Sequence, residues 1–236
     1  LIFENSPVTA LNNDGNWIVE TPQGQVSSPR VILAVNGHLN SFGYAKSRLM
    51  HVFTYASMTR ALTPQEIGKL GGNPIWGLTP ADPVGTTVRR ISGTGGDRLI
   101  IRNRFTFDPT LEVNPKRIAK IGHDHDASFL HRFPDLSNVK MEYRWGGRLC
   151  LSRNNVQIIQ ELEPGLFSAC CQNGLGTAKG TFAGGLAADL ALGRSSQALS
   201  RALAADAPAR LPPAAIAKLG ANLYLRWQER SARGEL

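Results

Sequence analysis

Apolar positions fall along this chain in two textures. Short runs, alternating or continuous and bounded by Gly, Pro, Asn and Asp, fill the first sixty residues and recur later; between them lie stretches with helical spacing. The short runs predict strands at Ile2–Glu4, Pro7–Leu11 and Trp17–Glu20, with turns at Asn12-Asn13-Asp14-Gly15 and Thr21-Pro22-Gln23-Gly24. Val31–Val35 is continuously apolar, as expected of a parallel strand covered on both faces, and Phe167–Cys171 is a second buried run. Val52–Arg60, Thr87–Ile91, Arg98–Arg104 and Val139–Trp145 are further strands, the middle two joined through Gly95-Gly96.

Helical spacing comes with start and stop signals. Thr63-Pro64-Gln65-Glu66 opens a short helix with Pro at its first position. Asn114-Pro115 caps a longer one, striped by Ile118, Ile121, His125 and Phe129 and ended by Pro134-Asp135. Ala178, Phe182, Leu186 and Leu190 fall four apart and predict a buried face, with Gly193 as the stop. Gly180, Gly184 and Gly185 within that helix predict close packing against a neighbour. After the Pro-rich link Pro208–Pro213, Pro213–Arg230 reads as an amphipathic helix with Ile216, Leu219, Leu223 and Trp227 on one face. That face is expected to dock on its own domain, with a membrane surface as the alternative.

Composition narrows the function classes. The chain has 236 residues, 42% of them hydrophobic, enough to bury the core of one large or two small domains. No apolar stretch is long enough to span a bilayer. The net charge of +8 admits nucleic acid as a partner, yet the basic residues are scattered and no nucleic-acid-binding motif occurs. Cys150, Cys170 and Cys171 make an odd set without a CxxC pair, which points to buried thiols and a reducing, cytoplasmic compartment. The chain opens on Leu1-Ile2-Phe3-Glu4 with neither initiator Met nor signal-peptide pattern, so a fragment or processed piece is expected. His123-Asp124-His125-Asp126 invites a metal, but on a helix residues two apart point about 200° from each other, so no metal site is assigned.

One stretch carries candidate chemistry. Asn173-Gly174-Leu175-Gly176 joins the strand Phe167–Cys171 to the following helix. Such a turn aims free N–H groups and a positive dipole at whatever lies above it. A tight connection with no ligand explains the same residues equally well.

A longer pattern extends that observation. Trp145-Gly146-Gly147, Ser152, Asn154, Asn173-Gly174-Leu175-Gly176 and Gly185-Leu186-Ala187-Ala188-Asp189-Leu190 together resemble the C-terminal end of the FAD-dependent amine and amino-acid oxidoreductases of the D-amino-acid oxidase and glycine oxidase type. Phe3–Val8, the TP-x-G turn and Val31–Gly37 resemble the same family's FAD domain. The resemblance implies an α/β plus α+β fold, the later part of a Rossmann-like FAD-binding domain with an inserted antiparallel-sheet substrate domain. Expected boundaries are 1–48 and 143–194 for the FAD-binding segments, 49–142 for the substrate domain and 195–236 for a tail helix.

It also implies non-covalent FAD, approached by Val8, Ala34, Asn36, Gly37, Gly147, Gly174, Leu175, Gly176 and Thr177. The implied reaction is oxidation of a C–N bond in a small amine or amino acid, with His51, Tyr55, Arg104 and Trp145 as substrate contacts and no catalytic residue assigned. On their strands His51 and Tyr55 are expected to share one face, as are Arg102 and Arg104. Two departures stand out. Leu175 occupies a position where relatives often carry His, and no GxGxxG unit occurs, since Gly93-Thr94-Gly95-Gly96 reads as a hairpin turn. A missing N-terminal FAD-binding half is therefore an expected partner, and FAD binding by these residues alone is expected to be weak or absent. A non-catalytic binding or assembly subunit of the same fold, or a basic nucleic-acid-binding domain, remains the alternative.

Overall fold

The computed structural model describes residues 1–109 and 113–236. In chain order the strands and helices begin with β1 (Ala10–Asp14), β2 (Asn16–Thr21), β3 (Gly24–Ser28), β4 (Val31–Leu33), β5 (Leu49–Thr59), α1 (Pro64–Leu70), β6 (Trp76–Leu78) and β7 (Thr87–Ile91). They continue with β8 (Arg98–Phe107), α2 (Pro115–Arg132), β9 (Met141–Ser152), β10 (Ile158–Glu163), β11 (Leu166–Cys170), α3 (Gly176–Ala191), α4 (Gln197–Leu203) and α5 (Ala214–Ala232). Contacts divide the chain into a first unit, Leu1–Met50 with Cys150–Pro212, and a second, His51–Leu149 with Pro213–Leu236. The stretch 195–236, expected as one tail, is divided: α4 belongs to the first unit and α5 to the second.

The first unit holds two three-stranded sheets, β1-β2-β3 and β10-β11-β4. In the second of these β11 pairs parallel with β4, Leu166 opposite Val31 and Ser168 opposite Leu33, and antiparallel with β10. Every residue of β11 is buried, and Trp17, Leu33, Leu39, Leu49, Cys150 and Ile158 form one core cluster with its Leu166 and Cys170. Gly165, at φ +79°, lets the β10–β11 turn lie where a Cβ would sit 2.5 Å from the Pro29 carbonyl oxygen. Three expectations change here. Residues 1–9 form no strand, because Ile2 and Phe3 stay exposed without a partner and β1 starts only at Ala10. Ile32 of β4 is 39% exposed, so this strand is not covered on both faces in the chain as it stands. Helix α3 buries Ala183, Leu186 and Ala187 and turns Phe182 outward, and added Cβ atoms at Gly184 and Gly185 would meet nothing.

The second unit is built on the five-stranded sheet β6-β7-β8-β5-β9. Helix α1 starts with a capping box, the Thr63 hydroxyl accepting from Glu66 N while the Glu66 carboxylate accepts from Thr63 N. Helix α2 lies on one sheet face through Ile121, His125 and Phe129, as its periodicity predicts. His125, the residue of the HDHD run on that face, is buried with Nδ1 2.7 Å from Ser57 Oγ. Its outward neighbours hold arginines: Asp126 takes Arg144 at 2.6 and 2.8 Å, and Asp124 takes Arg104 at 3.0 Å. Helix α5 departs from expectation. It docks through Asn222 and Glu229, and its apolar stripe faces outward.

Burial pushes the His125 imidazole down to about 4 from its ordinary 6.5. As pH falls through 6.5 the unfolded chain therefore takes up a proton that the folded chain refuses. Stability is full above that value and drains toward the folded value. Between about pH 7 and about pH 5, above the range where most carboxylates titrate, the loss should be about 2 kcal/mol. Denaturant unfolding at the two pH values measures it. His125→Gln, which keeps a hydrogen-bonding side chain for Ser57 but takes no proton, should remove most of the slope.

Candidate functional site

The strand β11 ends inside the core, and the chain must then turn outward to start α3. It does so through Cys171, Asn173 and Gly174, all at positive φ (+63°, +51° and +82°). Asn tolerates this conformation and Gly adopts it without strain. The Asn173 side chain pins the turn: its Oδ1 accepts from Ser152 N at 2.8 Å and from Ser152 Oγ at 3.3 Å. Its Nδ2 donates to the carbonyls of Val156 at 3.2 Å and Cys171 at 3.1 Å. A second tie comes from Asn36, itself at φ +48°, whose Oδ1 accepts from Gln172 N at 3.3 Å.

The turn delivers the chain to an exposed, uncapped helix start. No side chain caps α3 at Leu175, and Gly174, Leu175, Gly176 and Thr177 are all exposed. A Cβ built on Gly176 meets nothing within 4 Å. The unpaired N–H groups and the positive end of a sixteen-residue helix thus face open space. Lys179, one turn in, hydrogen-bonds Asn155 at 3.4 Å. The three thiols are buried, and burial pushes the Cys170 thiol up to about 11, so it stays protonated and unreactive at neutral pH.

Asn36 connects this ledge to a cleft. The nearby residues Val35 and His38 line a cavity of about 1060 Å³ with Val8, Trp17, Tyr44 and Glu163. The Tyr44 hydroxyl donates to Glu163, and burial together with this carboxylate raises the tyrosine to about 12. Of the residues expected near a cofactor, Val8, Asn36, Gly37, Gly174, Leu175, Gly176 and Thr177 belong to this unit, as does the exposed Ala34. Gly147 belongs to the other unit.

In the second unit the sheet face opposite α2 carries a cavity of about 370 Å³ lined by Thr54, Ala56, Thr87, Arg89, Ile100, Arg102, Trp145 and Gly147. Arg102 donates to Thr87 Oγ1 at 2.7 Å, and its guanidinium lies 5.5 Å from the centroid of the Phe105 ring. The buried Thr54 hydroxyl, on this face, has no hydrogen-bond partner among the described residues.

Trp145, of the expected substrate contacts, lines this cavity. Tyr55 faces the other way, buried against Phe53 and Ile121 with its hydroxyl 2.6 Å from Thr106 Oγ1. His51 is buried as well. Arg102 and Arg104 do not share a face, because β8 carries a bulge: Thr54 pairs with Phe105 and Tyr55 with Asn103, leaving Arg104 as the extra residue at φ +59°. Arg104 is thereby turned onto Asp124 at 3.0 Å and Glu229 at 3.2 Å. Thr54, Arg89 and Arg102 were not singled out from sequence as substrate contacts. Period-two alternation from Trp145 across the sheet would have found the first two, but nothing local announces the bulge.

Residues 1–190 match the family described as FAD dependent oxidoreductase. The chain belongs to the FAD-dependent oxidoreductase family. Its mixed α/β architecture with antiparallel sheets matches the fold of this FAD-binding family. Probable oxidoreductase OrdL of Rhizobium meliloti is 24% identical over 203 residues, 83% of this chain and 44% of that protein. The protein of the same description from Haemophilus influenzae is 25% identical over 81% of this chain and 43% of its own length. The chain thus spans less than half the length of the curated relatives it matches. Among solved structures, glycine oxidase from Geobacillus kaustophilus aligns with a TM-score of 0.58 at 19% identity, covering 83% of this chain and 50% of that one. L-proline dehydrogenase from P. horikoshii aligns at 0.59 and 17%, covering 84% and 53%. At these identities the structural likeness establishes the fold.

Asn173 provides a direct check on the turn. Asn173→Ala removes the side-chain hydrogen bonds to Ser152, Val156 and Cys171, strands Ser152 N (the Ser152 hydroxyl and Val156 carbonyl keep their own bond at 2.8 Å) and forces Ala to a positive φ. It should lower unfolding free energy by about 2–4 kcal/mol. Asn173→Gly restores the backbone freedom but not the bonds, and should cost about 1 kcal/mol less. Chemical denaturation of the two variants separates the latch from the strain.

Proposed function

We propose that the chain forms part of an FAD-dependent oxidoreductase acting on the C–N bond of a small amine or amino acid. The observation that carries this is the uncapped, exposed start of α3 behind a turn locked by Asn173 and Asn36. Rigid, unpaired N–H groups next to open space suit the electron-rich edge of a flavin. In this reading the backbone N–H groups of Gly174, Gly176 and Thr177 bind the ring edge, while Leu175, whose N–H donates to Gln172 O at 3.2 Å, lies beside it. Gly37 and Asn36 hold the adjoining backbone, and Val8 and Val35 line the cleft that receives the adenosine end. FAD bound there supplies the acceptor for the two electrons taken from the substrate. The residues 1–50 and 150–193 act as the FAD-binding portion, completed by a further FAD-binding segment, and the second unit as the substrate portion. Family membership favours this over a nucleic-acid-binding domain or a non-catalytic subunit.

The substrate wall is proposed on the open sheet face. Arg102, half-buried and anchored by Thr87, offers a guanidinium to a substrate carboxylate, and burial already lowers its pKa below the ordinary value, so an incoming anion is welcome. The unpartnered Thr54 hydroxyl and the Trp145 ring complete the recognition surface. Arg104, satisfied by Asp124 and Glu229, holds the sheet to α2 and α5 instead. Buried free thiols fit a reducing, cytoplasmic setting.

Gly176→Asp distinguishes a cofactor ledge from a plain structural turn. The added side chain meets no protein atom, and an acid at a helix start is worth a few tenths of a kcal/mol of stability. The melting temperature of the chain should therefore hold or rise. Flavin affinity of the flavin-loaded protein should drop at least tenfold and its reduction potential should fall, because negative charge opposes electron uptake at the ring edge. An unshifted potential with unchanged affinity removes the turn from the site. For the substrate wall, Arg102→Leu should raise KM for an amino-acid substrate about a hundredfold with a smaller change in kcat, as expected for lost carboxylate binding. Arg104→Leu should instead destabilise the fold by about 1–3 kcal/mol by stranding Glu229.

A further inference from the structure

We propose that helix α5 is a docking surface for an anionic phospholipid bilayer, which it meets side-on without crossing. The helix turns Ile216, Leu219, Leu223, Tyr224 and Trp227 outward, each about 60% exposed. At 100° per residue these five occupy one continuous flank, opposite the side that docks through Asn222 and Glu229. An apolar stripe containing Trp and Tyr, on a helix too polar to span, has the composition of helices that lie in the lipid interface.

Charge identifies the partner. Arg226 and Arg230 border the stripe, both exposed and without an ion pair among the described residues. Beyond Arg226 the same flank opens into a cavity of about 650 Å³, where the first turns of α2 add Lys116, Arg117 and Lys120. The two carboxylates of that cavity, Asp124 and Glu229, are already engaged with Arg104. Arg117 is held by Asp108, which leaves Lys116, Lys120, Arg226 and Arg230 as cations along one side of an apolar strip. A second copy of the chain would bring the same stripe and cations, and among the described residues the carboxylates of this face are already engaged. A bilayer carrying phosphate headgroups over an acyl layer meets both halves of the surface at once. The matched family region ends at residue 190, so helix α5 and its apolar stripe lie outside it and do not depend on the flavin reading.

Flotation of the full chain with phosphatidylcholine vesicles, with and without about 30% phosphatidylglycerol, tests the idea. Binding to the anionic vesicles, weakened by added salt and at least tenfold weaker to the neutral ones, is the expected result. At roughly fivefold per cation, Arg226→Gln with Arg230→Gln should reduce partitioning by about thirtyfold. Lys116→Gln with Lys120→Gln should do the same while leaving α5 untouched, so the charge claim stays testable should the α5 variants fold poorly. Brominated acyl chains should quench tryptophan emission on binding, and Trp227→Phe should abolish that quenching. Absence of binding, equal binding to neutral vesicles, or quenching that survives Trp227→Phe overturns the proposal. So does a concentration-dependent dimer in solution that Leu223→Ser dissolves, since the stripe would then belong to a second copy.

Discussion

A buried strand that must hand its chain to an outward-running helix has to leave the core without stranding backbone polar groups, and in the first unit Asn173 meets that demand. Its side chain satisfies Ser152 N, Ser152 Oγ, Val156 O and Cys171 O in a single residue, while its own N–H reaches Cys150 O at 3.1 Å. Those contacts tie the end of β9 and the start of β10 to the turn after β11. The exposed helix start is rigid because everything behind it is bonded. Had Asn173 been placed at a helix cap instead, the N–H groups of α3 would be satisfied internally and would have nothing to offer a ligand.

The second unit rests on a different constraint, the length mismatch between β8 and β7. Strand β7 pairs only with Arg98–Arg102, so the backbone of β8 beyond that point loses its neighbour on one edge. Helix α5 stands in for the missing strand: Glu229 accepts from Phe105 N at 3.1 Å, and Asn222 accepts from Phe107 N at 3.0 Å while donating to Phe107 O at 2.8 Å. The bulge at Arg104 sits at this transition and turns that guanidinium toward Glu229, which neutralises a carboxylate that is only 4% exposed. One irregularity thus keeps Arg102 on the open face and commits Arg104 to the fold.

Features set by neighbours in sequence were legible from sequence. The Thr63 capping box, the Asn114 cap, the Gly95-Gly96 hairpin and the positive-φ stop at Gly193 depend on chemistry within four residues. The parallel partner of Val31–Leu33 was legible from two continuous apolar runs. Features decided by distant partners were not. Strand β10, with the sequence IIQELE, exists because β11 lies beside it, and its acids Glu163 and Glu161 serve Tyr44 and Gly165. Phe182 and the α5 stripe have helical spacing, but spacing identifies a face without saying what covers it. The role proposed for the glycine turn rests on the longer pattern shared with the family, since the turn itself is common chemistry.

The orientation of α5 shows how polar demands can overrule apolar ones. Large aliphatic and aromatic side chains gain about 1.5–3 kcal/mol each on burial, so on that ground alone docking the stripe inward would be the stronger choice. Docking it inward, however, would turn Asn222 and Glu229 away from β8. It would leave Phe105 N, Phe107 N and Phe107 O buried without partners, at about 1–3 kcal/mol each, and Arg104 beside Asp124 alone. The polar cost offsets much of that gain, and the polar set is available within the chain itself. Facing the stripe outward satisfies the sheet and keeps the apolar gain for a second surface. A helix that served only to seal β8 would need no Ile216, Leu219, Leu223 and Trp227 on its far side; that these residues are there, bordered by unpaired cations, is what gives the helix two working faces.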